Sequence, residues 1–176
     1  DATSRSAVLD ISDLSAGQWQ LELSSGLHSE QGLAIKNVYT TSFTAVMDMS
    51  QQLSLRFVNT RADRATGSIS YDVDVTNISI DDIRGPLTLL LNPQTAFGGA
   101  VDGAVMGSGL QEGLWLLDLS AGLQAFGNKL PVGATLASQT VTLRPLTALS
   151  PALVQLVKAD MGHQLYALPQ ANIPPS

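Results

Sequence analysis

Asp72 and Asp74 alternate along one stretch of the chain, and Asp81 and Asp82 follow within a few residues. Alternate strand residues lie about 7 Å apart, a spacing open to the paired-carboxylate acid and base chemistry of glycosidases. A general acid also needs an apolar pocket to raise its pKa. The face holding Ser70, Asp72, Asp74 and Thr76 is polar throughout and is expected to meet solvent, so the pair is assigned no catalytic role. Calcium suits such oxygens better, because it takes about six to eight of them from loop carboxylates and carbonyls. Asp63, Asp81 and Asp82, in the loops 59–63 and 77–82, are the candidate ligands. No Asp-x-Asp-x-Asp-Gly loop accompanies them, and solvated turn residues are the competing reading.

The only histidines, His28 and His163, stand far apart among glycine and other loop-forming residues and are expected on surface loops. A Ser-His-Asp triad would need one of them beside a Gly-x-Ser-x-Gly elbow, which the chain lacks. Cysteine is absent, which removes thiol nucleophiles, disulfides and Cys-ligated zinc or iron. The glycine-rich stretches Gly98-Gly99-Ala100-Val101-Asp102-Gly103 and Gly107-Ser108-Gly109 lack the Lys and Ser/Thr of a phosphate-binding loop. They are expected to form a flexible loop between strands.

A carbohydrate site would use exposed aromatic platforms, and aromatics are only 5% of the chain. Trp19 alternates with Leu21 and Leu23, which places it in the core. Trp115 lies in a run that is apolar on both faces and is the candidate ligand-binding residue. Tyr39, Tyr71 and Tyr166 fall within strand patterns.

The elements that carry these residues follow from period-two alternation in short runs bounded by Gly, Asn, Asp and Pro. Strands are predicted over 7–11, 18–23, 38–46, 53–59, 68–77, 87–91, 114–119, 135–144, 153–159 and 164–168. Hydrophobic residues are 44% of the 176 and charged residues 14%, the balance of a folded β protein rather than a disordered segment. The net charge is −6 and the nine Lys and Arg are scattered, so no basic stripe favours nucleic acid or anionic lipid. No apolar run approaches the roughly 20 residues of a membrane span, and residues 1–6 do not read as a signal peptide. An export signal, if one exists, is expected upstream of this fragment.

Two punctuation points suggest boundaries: the polar stretch around 47–52, and the Pro-rich segment 169–176, which reads as a linker toward another domain. Gly85 is expected to allow a turn, and Pro86 to open the next strand, where its missing N–H does least harm.

Residues 53–144 resemble immunoglobulin-like and fibronectin-like modules of large secreted and surface proteins of bacteria. The resemblance rests on Asp63-Arg64-Ala65-Thr66-Gly67, Val75-Thr76-Asn77, Gly85-Pro86-Leu87-Thr88-Leu89-Leu90-Leu91, Leu130-Pro131-Val132-Gly133 and Val141-Thr142-Leu143. A second resemblance, to the closing strands of a bacterial immunoglobulin-like repeat, covers 14–44 through Leu14-Ser15-Ala16-Gly17-Gln18-Trp19, Gly32-Leu33-Ala34 and Thr41-Ser42-Phe43-Thr44. These resemblances imply an all-β, immunoglobulin-like antiparallel sandwich over 53–168. Residues 1–46 are then strands of a partial or second unit, or extra strands on the main sandwich. Such turn and strand grammar specifies fold better than function. The expected role is a non-catalytic structural or adhesive spacer of a larger secreted or cell-surface protein, whose partners are neighbouring domains of the same polypeptide. The alternative is a carbohydrate- or protein-binding module appended to an exported enzyme, with a cell-surface glycan or protein as partner.

Overall fold

The computed structural model describes residues 11, 14–24, 26, 28, 31–34, 37–93, 99–107, 112–145 and 160–169. They form antiparallel β-sheets with one short 3₁₀ helix, so the chain is all-β. It divides into two compact units, residues 1–46 and 47–176.

The smaller unit holds a two-stranded sheet of β1 (Gly17–Leu23) and β2 (Tyr39–Ala45), paired from Gly17↔Ala45 to Leu23↔Tyr39. Residues directly opposite in such a pair share a face. One face therefore carries Trp19 with Phe43, Leu21 with Thr41 and Leu23 with Tyr39. The other carries Gln18, Gln20 and Glu22 with Thr44, Ser42 and Thr40.

In the larger unit the strands are β3 (Met47–Asp48), β4 (Leu53–Ala62), β5 (Ile69–Asn77), β6 (Ile83–Pro93), β7 (Gly99–Val101) and β8 (Ala104–Met106). They continue with β9 (Trp115–Asp118), the 3₁₀ helix Ser120–Phe126, β10 (Lys129–Leu130), β11 (Thr135–Pro145) and β12 (Met161–Leu168). One sheet runs β3-β12-β6-β9-β8, with β10 added on β6, and the other runs β4-β5-β11-β7. Alternation places Ile69, Tyr71, Val73 and Val75 of β5 on the inner face of the second sheet. They join Leu87, Leu89 and Leu91 of β6 and Leu165 and Ala167 of β12 in one hydrophobic cluster, so the two sheets enclose a common core.

Several elements extend beyond the expected spans. The strand over 53–59 continues to Ala62 through a register shift between Val58 and Arg61, where Asn59 takes a positive φ of 51°. A bulge of this kind twists an edge strand and re-aims its side chains. The strand over 87–91 lies inside β6, which begins at Ile83, and the strand over 164–168 begins at Met161. The expected strands 7–11, Ile11 apart, and 153–159 lie outside the described residues, as does the tail 170–176.

Glycine and proline act differently from their expected roles. Pro86 sits within β6, after a cis Gly85-Pro86 bond. It lies where the register against β12 shifts between Tyr166↔Thr88 and Leu168↔Arg84, a place that asks no ladder donor of it. Gly85 serves close approach rather than a turn: a Cβ there would meet Asn128 Oδ1 at 2.9 Å and Leu123 Cδ1 at 3.0 Å. The stretch expected to be a flexible loop instead contains β7, paired with β11, and β8, paired with β9. Gly103, at φ +73°, turns the chain from one sheet into the other; Gly98, Ser108 and Gly109 lie outside the described residues.

Residues 47–52 open the larger unit, just after the division at 46, and mix exposed side chains with a buried one. Met49 is buried, and its N–H donates to the Leu165 carbonyl at 2.7 Å. The Leu165 N–H in turn donates to Ser50 Oγ at 3.0 Å.

The helix packs closely on β11, because a Cβ on Gly122 would lie 2.7 Å from Leu136 Cδ1. Gly122→Ala is therefore expected to cost about 1–3 kcal/mol through overpacking. An unchanged denaturant midpoint would show that Leu136 yields freely.

Candidate functional site

The outer face of the second sheet holds the two alternating acids, and it is not the solvated face expected from the sequence. Asp72 and Asp74 are only 8% and 7% exposed, because side chains from both neighbouring strands close over them. Arg61 donates to both Asp72 oxygens, at 2.9 and 3.0 Å. Asn59 Nδ2 and Thr140 Oγ1 add bonds of 3.0 and 2.8 Å. Asp74 takes hydrogen bonds from Arg56, at 2.7 Å and 3.1 Å, and from Ser138. The bulge in β4 makes this possible: with Asn59 turned into a positive φ, Asn59 and Arg61 both reach Asp72.

These contacts decide the chemistry. Arg61 above all, then Thr140 and Asn59, hold the Asp72 carboxyl well below the usual carboxylate range. Ser138 and then Arg56 lower that of Asp74. A general acid needs the opposite shift, so neither carboxyl can hold a proton for a leaving group near neutrality. The ladder continues with Ser70 against Thr142 and Thr76 against Thr135, each at 2.8 Å. The face is a closed network of satisfied polar groups.

His163 is in β12 rather than a surface loop. Its Nε2 lies 3.0 Å from the Tyr71 hydroxyl of the opposing sheet, and its ring centroid is 4.6 Å from that of Phe57. Burial pushes the imidazole down to about 4, against a hydrogen bond to the Met161 backbone, and raises the Tyr71 phenol. In the tautomer that leaves Nε2 bare, the Tyr71 O–H donates to it. The surrounding rings offer no nucleophile, so the pair ties one sheet to the other. Its signal was present in the sequence, because Met161, His163, Leu165 and Ala167 alternate on one side of β12. His28 is exposed, with Nδ1 3.0 Å from the Gly26 carbonyl oxygen.

The three calcium candidates do not converge. Asp63 precedes β5 and Asp81 and Asp82 follow it, so a nine-residue strand of about 30 Å separates them. Asp63 Oδ1 accepts the Ala65 N–H at 2.8 Å, and that turn bond lowers its carboxyl pKa. Asp82 is held by Lys129 Nζ at 2.6 Å and the Val132 N–H at 3.3 Å, and the Lys129 contact chiefly lowers its carboxyl pKa. Among the described residues no group of three or more His, Cys, Asp or Glu is placed to hold a metal.

Trp115, the candidate binding residue, is 8% exposed and part of the core, because β9 lies between β6 and β8 with this side chain turned inward. It offers no platform. Three surface aromatics are in the smaller unit, where Trp19, Phe43 and Tyr39 on the apolar face of β1–β2 are 38%, 37% and 57% exposed, and in the larger unit Phe57 is 44% exposed beside His163. The expectation that Trp19 is core residue is corrected accordingly. Its Nε1–H donates to the Ser15 carbonyl at 2.9 Å, which fixes the ring's edge and leaves part of its face to solvent.

The sheets, their common core and the satisfied acids define an all-β protein in which the side chains of Asp72, Asp74, Asp82 and His163 make structural bonds. No protein-family model, curated protein or solved structure matches the chain.

Proposed function

We propose that the chain is a non-catalytic, immunoglobulin-like spacer of a larger exported bacterial protein, joining or displaying neighbouring domains outside the cytoplasm. The observation that carries this reading is the engagement of Asp72 and Asp74, whose carboxyls are held ionised by Arg61, Arg56 and hydroxyl donors. Groups of this kind stiffen a sheet and leave no acid or base for turnover. The two-sheet core and the turn and strand motifs of 53–144 support the immunoglobulin-like assignment.

A second reading, a carbohydrate- or protein-binding module, is favoured by one observation: the row of Trp19, Phe43 and Tyr39 on a single face of β1–β2. Aromatic faces stack on apolar faces of ligands and are over-represented where binding energy concentrates. Retention on a panel of immobilised polysaccharides and surface glycans separates the two readings. A spacer passes through every matrix. Retention of the unaltered chain that falls at least tenfold in Trp19→Ala would replace the spacer with the glycan-binding module.

A further inference from the structure

β4 is an edge strand: β5 pairs with it on one side, and among the described residues no strand pairs with it on the other. Its register with β5 is unbroken from Leu53↔Asn77 to Val58↔Asp72. The Ile78 N–H donates to the Gln52 carbonyl at 3.0 Å, so the Gln52 backbone turns toward β5. Leu53 turns the other way, and its N–H donates to the Met49 carbonyl at 3.0 Å. Because this direction alternates along an antiparallel strand, Leu55 and Phe57 also point their N–H and C=O groups away from β5. Among the described residues no hydrogen bond reaches these four outward groups.

This open stretch is framed at both ends. The turn from Met49 to Leu53 closes it on one side, and the bulge after Val58, with Asn59 at φ 51°, bends the strand on the other. Natural sheets blunt their edges with charges, prolines or bulges, and the segment around Leu55 and Phe57 lies between such devices. Phe57 faces Val73 across the pair and so points toward the core, its ring centroid 5.9 Å from that of Tyr71 and 4.6 Å from that of His163. It is nevertheless exposed, as an inward side chain is when no further strand covers its edge.

We infer that this edge receives an extended segment of a partner, added antiparallel as a further strand and reading apolar, acidic, apolar at successive residues. β5 already displays the matching pattern, since it sets Val75, Asp74 and Val73 against Leu55, Arg56 and Phe57. A strand on the outer side meets the same three side chains. Hydrogen-bonded pairs at Leu55 and Phe57 use all four free backbone groups. The two apolar side chains then fall on the inner face, where they cover the Phe57 ring, and the acid falls on the outer face opposite Arg56. The Arg56 side chain is 75% exposed and so remains within reach of a second carboxylate beside Asp74. A second copy of this chain fits less well, because pairing Leu55 with Phe57 of the other copy sets Arg56 directly opposite Arg56, and like charges so placed are destabilising. A spacer and a binding module can each carry such an edge, so its occupancy does not depend on the spacer reading.

Amide hydrogen exchange of the whole chain, followed by NMR with and without the capped peptide Ser-Thr-Val-Asp-Val-Thr-Ser, tests the assignment. In the free chain the Leu55 and Phe57 amides are expected to exchange fast, and those of Arg56 and Val58, which face β5, slowly. Saturating peptide is expected to slow Leu55 and Phe57 about tenfold or more. Lysine in place of the peptide's aspartate should weaken binding about fivefold. Methylation of both valine nitrogens, which removes the donors aimed at β4, should weaken it about tenfold. Slow exchange of Leu55 and Phe57 in the free chain at every concentration would show that the edge is already covered, and protection that grows with protein concentration would give it to a second copy; either result overturns the assignment. So does the absence of slowing by the peptide, or equal slowing by the lysine or N-methylated form.

Discussion

Replacing Asn77 with alanine is expected to remove about 3 kcal/mol of stability, a large share of the roughly 5–15 kcal/mol that holds a domain folded. Asn77 is fully buried at the end of β5, and its amide uses both donors and its acceptor. Nδ2 donates to the Asp81 and Leu130 carbonyls, and Oδ1 accepts the Ser79 N–H at 3.0 Å and the Ser79 hydroxyl at 2.7 Å. Its backbone is committed as well, donating to the Ala134 carbonyl at 3.0 Å and accepting the Gly133 N–H at 2.9 Å. One side chain thus fastens the β5–β6 loop to the segment around β10, and alanine would take this donor from both carbonyls, leaving that of Asp81 the Ser79 hydroxyl. Asn77→Asp should be worse at neutral pH, because an ionised carboxylate has no donor to offer them. Urea unfolding measures both: the midpoint should fall with the slope unchanged. A loss below about 0.5 kcal/mol for the alanine variant would mean that water or the loop resatisfies those carbonyls.

Acidification is expected to weaken the protein in two separable stages. His163 has an ordinary value of 6.5 that burial lowers to about 4 in the folded chain, so between those pH values the unfolded chain binds a proton that the folded chain refuses. The stability tied to this group is complete above pH 6.5 and declines as pH falls toward 4. Its extent is about 2 kcal/mol, after allowance for the ring's partial exposure. The second stage belongs to Asp72, Asp74 and Asp82, whose carboxyls are lowered from 3.8, so their contribution persists above that value and is lost as pH falls below it. Unfolding free energies of the unaltered chain and of His163→Gln between pH 7 and 3 test the assignment. The variant should lose the first slope and keep the second. Parallel curves through the upper window would show that His163 titrates alike in both states.

The contrast between Asp72 and His163 shows where reading along the chain stops. Alternation placed Asp72 and Asp74 on the face opposite Tyr71 and Val73, and the structure keeps them there. That this outer face is dry around the two acids depends on Arg56, Arg61 and Asn59 of β4 and on Ser138 and Thr140 of β11. Pairing and register of strands decide those contacts, whose partners are as much as 68 positions apart, and a β-bulge shifts the register where Arg61 is delivered. For His163 the missed signal was local: extending the alternation back to Met161 puts it on the face that Leu165 shares.

What the sequence determined by itself is the set of residues that turn inward together, because period two follows from strand geometry alone and needs no knowledge of partners. The β class and the strand regions around Trp19, Phe57, Tyr71, Leu89 and Val141 rest on that local rule. The tertiary structure alone decided which inward faces find a second layer and which do not. Trp115 and Trp19 both lie in apolar strand patterns, yet the first is closed into the core and the second keeps an open face. The physical reason is that burial and electrostatic environment are set by groups brought near in space, whereas alternation reports only the direction in which a side chain leaves its own strand.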